Sequence, residues 1–355
     1  MEYKLSEEQV EYADVVRNWL AETAPVAVVR DWLDSGDASV FEAAFAEDGW
    51  VGIGLAEKLG GQGGGLVELA LTAEEFARAT APSASWLATA LALPALASRG
   101  DIVESVIAGE VVALLIPADD VPDAIEPLSI DAGGAVSGSV ARVLAGDRAR
   151  RFVVVAGDAE RPQLRLVKAD APGVRITSRR LLDRTRSVAD VMLTAVESEP
   201  IDVDAAGFLA SASARAAVLV AADALGASER LLELAVDYSK QRTQFGVPIG
   251  SFQAVKHAAA TILVSVEAAR SVVQFAAASV DAGLPESSLH AAAAKAQVTE
   301  AAAQAADSAL TMMGAIAYTW EHEFHLSYKR AKLDAQLFGT PTRWNERIAS
   351  GLSLV

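Results

Sequence analysis

The stretch RTQFGVPIGSFQAVKH, residues 242–257, decides the fold because it forms a sharp corner between two long alanine-rich helical patterns. Arg242 closes the first pattern, and Gly246 permits the change of direction. Pro248 and Ser251 prepare the start of the second helix. Together these residues predict consecutive helices joined by a short loop, as in an up-and-down bundle.

An arginine fixed at such a corner is also well suited to bind an anion. The planar guanidinium of Arg242 can form two parallel hydrogen bonds to a diphosphate, and the ring of Phe245 is expected to pack behind it. Gln253, in the first turn of the second helix, is expected to reach a ribose or phosphate oxygen. The alternative interpretation is an ordinary loop between two helices.

Helical periodicity occupies both ends of the chain, and short β-branched runs separated by Gly, Pro and Asp fill the middle. This order predicts a mainly α protein with a central β domain. Residues 1–110 are assigned to an N-terminal α-helical domain, 111–204 to a small antiparallel barrel or sandwich, and 205–355 to a four-helix bundle. The predicted helical stretches include 39–48, 66–79, 84–98, 206–241, 251–283, 287–315 and 321–336.

The composition excludes several classes of function. Hydrophobic residues make up 52% of the chain and aromatic residues 6%, which favours closely packed helices. The formal net charge of −17 disfavours nucleic acid as a partner, and the absence of cysteine excludes disulfides and thiolate metal sites. The first helix is acidic instead of signal-like, and no apolar run reaches about 18 residues. A cytoplasmic protein without a membrane span is therefore expected.

Two motifs are set aside. His322 and His325 in HEFH are three residues apart, whereas the zinc helix places its histidines four apart. The glycine-rich LGGQGGG, residues 59–65, lacks the Lys-Ser/Thr of a phosphate loop and is predicted to be a turn. The sequence therefore predicts no metal site.

Residues 242–257 resemble the acyl-CoA dehydrogenase signature, Arg-x-x-Phe-Gly followed by x-Pro-Ile-x-x-Phe-Gln-x-Val-x-His. The resemblance covers nearly the whole chain, from SEEQVEYADVVRNWL through GWVGIGLAEKLGGQGGG and VSGSVARVLAGDRARRFVVVA to MMGAIAYTWEHEFHLSYKRAKL. It implies the family's fold, with a helical domain, a β-barrel and a four-helix bundle. It also implies FAD-dependent α,β-dehydrogenation of an acyl-CoA thioester, with an electron-transferring flavoprotein as the electron acceptor.

The resemblance assigns roles to individual residues. In this family a carboxylate removes the α-proton of the thioester, and the β-hydride passes to the flavin. The signature arginine and phenylalanine reach the FAD of a neighbouring subunit, which implies this role for Arg242 and Phe245, with Gln253 as a supporting contact. The other cofactor-binding positions that the resemblance implies are Thr311, Gly314, Gly339 and Thr340.

The catalytic glutamate of the family is missing from both of its usual positions. One position, before the Gly-Thr that follows the last long helix, holds Phe338, and the other, on the first bundle helix, falls at Ala216. The flavin-facing Thr-Glu-Pro-x-x-Gly-Ser stretch is replaced by IPADDVPDAIEPLS. The Gly-Gly-x-Gly turn keeps only its first glycine in GAIA, residues 314–317. The resemblance thus implies a chain without its own base.

Three interpretations remain open. In the first, the chain is the base-lacking subunit of a heteromer such as a heterotetramer, and a homologous subunit supplies the glutamate. TWEH, residues 319–322, resembles the actinobacterial branch that acts on steroid side-chain CoA esters. In the second, a homo-oligomer uses a relocated base, with Glu229, Glu233 and Asp237 as candidates. In the third, the chain is a flavin-free scaffold.

Overall fold

The computed structural model describes residues 4–352, in which helices precede and follow a β-rich middle. The N-terminal helices are α1 (Glu7–Thr23), α2 (Val26–Ser35), α3 (Ser39–Glu47), α4 (Leu66–Arg78), α5 (Ala84–Ala92) and α6 (Gly100–Ile107). The strands are β1 (Val112–Leu114), β2 (Ser129–Ile130), β3 (Val136–Leu144), β4 (Arg151–Asp158), β5 (Arg161–Lys168), β6 (Val174–Arg179), β7 (Val188–Val196) and β8 (Glu199–Ile201). The C-terminal helices are α7 (Ala205–Gln241), α8 (Gln253–Asp281), α9 (Ser287–Met313), α10 (Phe324–Asp334) and α11 (Pro341–Gly351). A small hairpin of β9 (Thr243–Gln244) and β10 (Val247–Pro248) joins α7 to α8.

The first helix shows how the sequence encodes local structure. Ser6 accepts a hydrogen bond from the Gln9 backbone N–H at 3.2 Å, and the Gln9 side chain accepts one from the Ser6 N–H at 3.0 Å. This capping box satisfies two backbone donors that the helix itself leaves unpaired. Helical spacing then places Ala13, Val16 and Leu20 on one buried face.

The chain divides into two compact units that cut across its sequence order. One unit contains the residues up to Asp31, Leu66–Ala81 and the residues from Ala217 onward, and the other contains Trp32–Gly65 and Pro82–Ala216. In the first unit, α4 packs against α1 and α8. The N-terminal helices are therefore shared between the units, and the three domain ranges drawn from the sequence stay predictions.

The strands of the second unit form two four-stranded sheets. Their orders are β1-β4-β5-β8 and β2-β3-β7-β6, and a single bridge between Leu128 and Ala156 links segments of the two. Most neighbours are antiparallel, as predicted, but β1 runs parallel to β4. This one pair departs from the predicted small antiparallel barrel or sandwich, because residues 115–150, including β2 and β3, separate β1 from β4 and allow the chain to return in the same direction.

In the first unit, α4 and α7 cross at a glycine. A Cβ on Gly226 would lie 2.0 Å from the carbonyl oxygen of Glu74, so only glycine fits at this crossing. Another buried contact lies nearby in sequence, where the guanidinium of Arg330 on α10 donates to both carboxylate oxygens of Asp223 at 2.7 and 2.6 Å. Arg330 also donates to the carbonyl of Ala81 at 2.7 Å. These contacts fix α7 against α10 and the end of α4.

The bundle contains a helix that the sequence analysis missed. The four predicted C-terminal helices are present, and α11 follows them and packs against α9. Thr340 is its N-cap, and Pro341 occupies its first position, where a missing N–H does no harm. The short pattern GTPTRW carries this start signal, which a search for long periodic runs does not find.

Two helices of the bundle are long and apolar enough to cross a membrane by length and composition alone. In the most apolar window of α7, 67% of the residues are buried inside the protein, as in a core helix of a soluble protein. The corresponding share for α8 is 22%. Helix α8 therefore presents apolar surface that residues 4–352 do not cover.

A buried lysine holds the corner before α11. Lys295 on α9 is fully buried, and its ammonium donates to the carbonyl oxygens of Asp334 at 2.9 Å and Gly339 at 3.0 Å. The indole N–H of Trp344 donates to the Phe338 carbonyl at 2.9 Å. Burial lowers the pKa of Lys295 from 10.5 to about 7, because a charged ammonium loses its hydration there.

This burial predicts a pH-dependent stability. The unfolded chain holds the Lys295 proton up to its ordinary pKa of 10.5, whereas the folded chain releases it near pH 7. The unfolded state thus binds more protons between these values, and the Lys295 contribution to stability rises with pH across that window. Urea unfolding of the wild type and Lys295→Met from pH 6.5 to 10 isolates this contribution, because the other titrating groups are shared. We expect the wild type to gain stability relative to the variant as the pH rises.

The variant should also be less stable at every pH in this range. Replacing the ammonium by a thioether leaves two buried carbonyls without a donor, at a cost of about 1–3 kcal/mol each. A difference between the two proteins that does not change with pH would contradict the titration of Lys295.

Candidate functional site

The corner at residues 242–257 is a tight hairpin with strained geometry. Gln244 pairs with Val247 across β9 and β10, which leaves Phe245 and Gly246 as a two-residue loop. Both have positive φ, 52° for Phe245 and 82° for Gly246, as a type I′ turn requires. A bulky aromatic residue rarely adopts this conformation. The backbone of Phe245 is therefore strained, at a cost in folding free energy.

The side chain of Phe245 points away from the protein. It is 93% exposed, and its ring lies 6.1 Å from that of Phe252 in an edge-to-face arrangement. The expectation that Phe245 packs behind Arg242 is therefore wrong, because the left-handed turn directs the ring outward. Arg242 is exposed as well, and within residues 4–352 no hydrogen bond or ion pair engages its guanidinium.

Exposed apolar side chains surround this hairpin. Val247 follows the turn, and Leu263 and Val264 lie on the outer side of α8. Monomeric proteins rarely leave several large apolar side chains uncovered on neighbouring elements unless the surface binds something. The hairpin and α8 together thus have the character of an interface.

The other predicted cofactor contacts are surface positions at helix ends. Gln253 is the exposed first residue of α8. The Thr311 hydroxyl donates to the Asp307 carbonyl of its own helix at 2.9 Å. Gly314 ends α9 with φ 69° and ψ −146°, and a Cβ there would meet no atom within 4 Å. The backbone thus requires glycine at position 314, while the surrounding space is open.

Phe338, Gly339 and Thr340 form a second Phe-Gly corner, turned inward. Phe338 has φ 52°, as does Phe245, but it is 2% exposed. The Gly339 carbonyl accepts from Lys295, and the Thr340 side chain accepts from the Arg343 N–H at 3.4 Å. A buried phenyl ring therefore occupies the position where the family resemblance expects a carboxylate. The other such position, Ala216, is completely buried in α7.

The three candidate relocated bases are all engaged by cations. Glu229 accepts from Arg78 at 2.6 Å through Oε2 and pairs with Arg270 through Oε1. Glu233 accepts from Arg78 at 2.6 Å as well. Asp237 forms a surface ion pair with Lys240, whose Nζ lies 3.0 Å from Oδ1. A carboxylate held by guanidinium groups is poorly available to remove a proton from a substrate, which disfavours the relocated-base interpretation.

Glu229 belongs to a larger ion-pair network on α1, α4, α7 and α8. Arg270 also donates to Glu74 at 2.7 Å, and Arg17 donates to Glu75 at 2.6 Å. Burial raises the pKa of Glu75 from its ordinary value, although the Arg17 hydrogen bonds oppose this shift. The network fixes helices against each other, so these carboxylates have a structural role.

Sequence reasoning missed the residues that build the second corner. Lys295 lies within HAAAAKAQ, where a single lysine in an alanine run resembles a solvated helix face. Its burial and its bond to Gly339 depend on long-range packing of α9 against α11. Trp344 offered a weak signal, because a large aromatic residue in a short polar stretch is often an anchor.

The histidine pair does not form a metal site. His322 accepts from the Phe324 N–H at 3.1 Å, and the ring of His325 lies 4.6 Å from that of Trp320. Burial lowers the pKa of His325 to about 4. Across residues 4–352, no group of three or more His, Cys, Asp or Glu side chains is arranged to hold a metal ion.

Comparison with known proteins identifies the family. Residues 6–101 match the model of the acyl-CoA dehydrogenase N-terminal domain, and residues 209–352 match that of the acyl-CoA dehydrogenase C-terminal domain. The chain is 33% identical over 347 residues to the acyl-CoA dehydrogenase IpdE2 of Mycobacterium tuberculosis, covering 97% of each protein. It is 32% identical to FadE34 of the same organism, covering 98% of this chain and 48% of that longer protein.

Solved structures share the fold. A variant of the Tcur3481-Tcur3483 steroid ACAD superposes with a TM-score of 0.88 at 26% identity, over 97% of each chain. A chain of the ChsE4-ChsE5 complex from Mycobacterium tuberculosis gives a TM-score of 0.87 at 23% identity, over the full length of both chains. The fold, the Phe-Gly signature and the similarity along the whole chain agree, and the protein belongs to the acyl-CoA dehydrogenase family.

Proposed function

We propose that this chain is the base-lacking subunit of a heteromeric, FAD-dependent acyl-CoA dehydrogenase. In this proposal it presents Arg242, Phe245 and Gln253 to an FAD bound mainly by a homologous partner subunit, and the partner carries the catalytic glutamate. The single observation that carries the proposal is the exposed hairpin, where a strained Phe245 and an unpaired Arg242 project from the protein.

The residues at the hairpin fit the pyrophosphate of FAD. An exposed guanidinium without an internal partner can bind two phosphate oxygens at once. The chain fixes the base of the Arg242 side chain through its backbone, because its N–H donates to the Tyr238 carbonyl and its carbonyl accepts from the Ile249 N–H, each at 2.8 Å. Gln253 begins α8 close by in the chain and offers an amide donor to the same group.

The hairpin surface suits a homologous subunit. Phe245, Phe252 and the exposed side of α8 offer apolar area, and aromatic and arginine side chains are the usual anchors of protein interfaces. Burying the ring of Phe245 in a partner would offset the cost of its left-handed backbone. Arg242 and Phe245 would then act on a site that the partner completes.

The second corner supports the assignment of the base to a partner. Trp344 donates to the carbonyl of Phe338 and Lys295 to the carbonyl of Gly339, so an apolar ring is fixed where a proton acceptor is expected. When bound, FAD supplies the hydride acceptor for the dehydrogenation. This chain's own contribution would be to bind and orient that cofactor and to exclude water with apolar side chains.

The substrate and the electron acceptor are proposed only as chemical or protein classes. The Tcur3481-Tcur3483 steroid ACAD among the structural neighbours and the TWEH segment favour a steroid side-chain CoA ester as the acyl-CoA substrate. An electron-transferring flavoprotein is the proposed acceptor. A flavin-free scaffold is the alternative to this function. The two differ in flavin content, which absorbance measures directly.

The flavin content of the purified protein tests the assignment. We expect the chain alone to be colourless or weakly flavinylated. Co-expression with a homologous subunit that carries the glutamate should give a yellow complex with about one FAD per pair, because both halves are needed to complete the site. A chain that alone holds stoichiometric FAD and is bleached anaerobically by an acyl-CoA would contradict the proposal. A complex without flavin would favour the scaffold.

Arg242→Ala should lower the FAD content of that complex without unfolding it. Loss of a charge-assisted contact costs about 1.5–3 kcal/mol, or roughly 10- to 150-fold in FAD affinity. Lys240→Ala is the matched control, because Lys240 is an exposed cation two residues away. Arg242→Lys should recover only part of the affinity, since an ammonium lacks the planar fork. Equal flavin retention in the Ala variant and the control would remove Arg242 from the site.

Phe245→Gly separates folding from assembly. Glycine adopts positive φ without strain, so the isolated chain should be equally stable or more stable, by up to about 1–2 kcal/mol in thermal or urea unfolding. Assembly with the partner, measured by analytical ultracentrifugation, should weaken because the exposed ring is gone. Leu182→Ala removes another exposed apolar side chain, 84% exposed, and serves as the control that should assemble normally. Normal assembly of Phe245→Gly would show that Phe245 is not an interface anchor.

A further inference from the structure

The second unit contains a cavity of about 350 Å³ that the proposed function does not use. It lies among α3, the loop before β4 and the segment SRRLLDRTRS, residues 178–187, between β6 and β7. Part of its wall is apolar and includes Trp32, Leu33 and Pro82. This volume is within the range of small-molecule sites in proteins.

Positive charge is concentrated on this cavity. The segment 178–187 holds four arginines within eight positions, although the chain as a whole has a net charge of −17. All four line the cavity together with Arg148, whereas the acids on its wall are Glu42 and Asp147. The lining arginines are Arg148, Arg179, Arg180, Arg184 and Arg186. Four of these arginines also have a carboxylate within 4 Å, which belongs to Asp37, Asp190, Asp34 or Asp183. The guanidinium groups available to a ligand are therefore those whose ion pairs are weakest.

Two of these arginines have only weak acidic partners. Arg184 lies 3.5 Å from Asp34, whose side chain is 79% exposed, and Arg148 lies 3.8 Å from Asp37, whose side chain is 63% exposed. Ion pairs of this length with solvated carboxylates contribute little stability. Both guanidinium groups can therefore exchange these contacts for a better acceptor.

The loop around Arg148 also holds its guanidinium in place. One nitrogen donates to the Gly36 carbonyl at 2.9 Å. Asp37 is occupied elsewhere, because its carboxylate accepts from the Ser39 backbone N–H at 2.9 Å, a bond that lowers the pKa of Asp37. Arg148 is thus oriented by a neutral carbonyl, and its ion pair with Asp37 is long.

We propose that this cavity binds a phosphate ester. The guanidinium groups of Arg148 and Arg184 bind the phosphate oxygens, and the apolar wall around Trp32 accommodates the organic part. A free nucleotide and the phosphorylated end of a CoA thioester share this chemistry. The inference is independent of the proposed flavin-donating role, because none of its residues belongs to the hairpin.

Isothermal titration of the full-length chain with AMP, with adenosine as the phosphate-free probe, tests the site. We expect AMP to bind and adenosine to bind at least tenfold more weakly. The variant Arg148→Gln/Arg184→Gln should lose AMP binding by tenfold or more. Arg175→Gln is the matched control, because Arg175 is exposed on β6, next to the segment, but does not line the cavity. CoA that competes with AMP identifies the thioester as the source, and absence of competition identifies a free nucleotide.

A second variant distinguishes loss of AMP binding from loss of folding. Arg184→Gln removes a side chain whose acidic contact is long and solvent-exposed, so the fold should be preserved, as thermal unfolding will show. This variant should also weaken AMP binding. Equal AMP affinity in Arg184→Gln and Arg175→Gln, or no binding of AMP or CoA at millimolar concentration, would overturn the proposal.

Discussion

The packing of the first unit, which contains most of the helical bundle, depends on the buried ion pair between Asp223 and Arg330. Both side chains are almost completely buried, so each charge has lost its hydration, and the loss is tolerable only because the guanidinium is satisfied by two carboxylate oxygens and by the Ala81 carbonyl. Removing either partner would leave an uncompensated charge in the interior, at a cost of about 3–5 kcal/mol. The pair therefore specifies one arrangement of α7, α10 and the end of α4, and the close crossing of α4 and α7 at Gly226 permits no side chain between them.

The two Phe-Gly corners show how the same local geometry serves opposite purposes. Phe245 and Phe338 have the same φ of 52°, and a glycine with positive φ follows each. At the second corner, Lys295 and Trp344 bind the surrounding carbonyls, and the ring is buried. At the first corner, the ring and the neighbouring guanidinium of Arg242 are exposed. A strained and uncovered aromatic side chain is unfavourable in a monomer, which supports the proposal that a partner subunit covers the first corner.

The sequence predicted the helices well because their signals are local and repeated. The predicted stretch 206–241 corresponds to α7 at Ala205–Gln241, and 287–315 corresponds to α9 at Ser287–Met313. Helix α11 was missed because eleven residues with a Thr-Pro start carry too little periodicity. The outward direction of Phe245 was also missed, because its φ depends on the hairpin pairing that residue types alone do not reveal. The burial of Lys295 depends on contacts about 40 positions away in sequence, and no local pattern encodes them.

The strong negative charge of the chain does not conflict with the anion binding proposed for Arg242 and for the arginine-lined cavity. At physiological ionic strength, the field of an exposed charge is screened beyond about 8 Å, so an incoming phosphate responds to the nearest guanidinium groups more than to the net charge of −17. The remaining acids still matter, because they repel anions from most of the surface. Arginines at the hairpin and around the cavity are therefore more selective in this acidic chain than they would be in a neutral one.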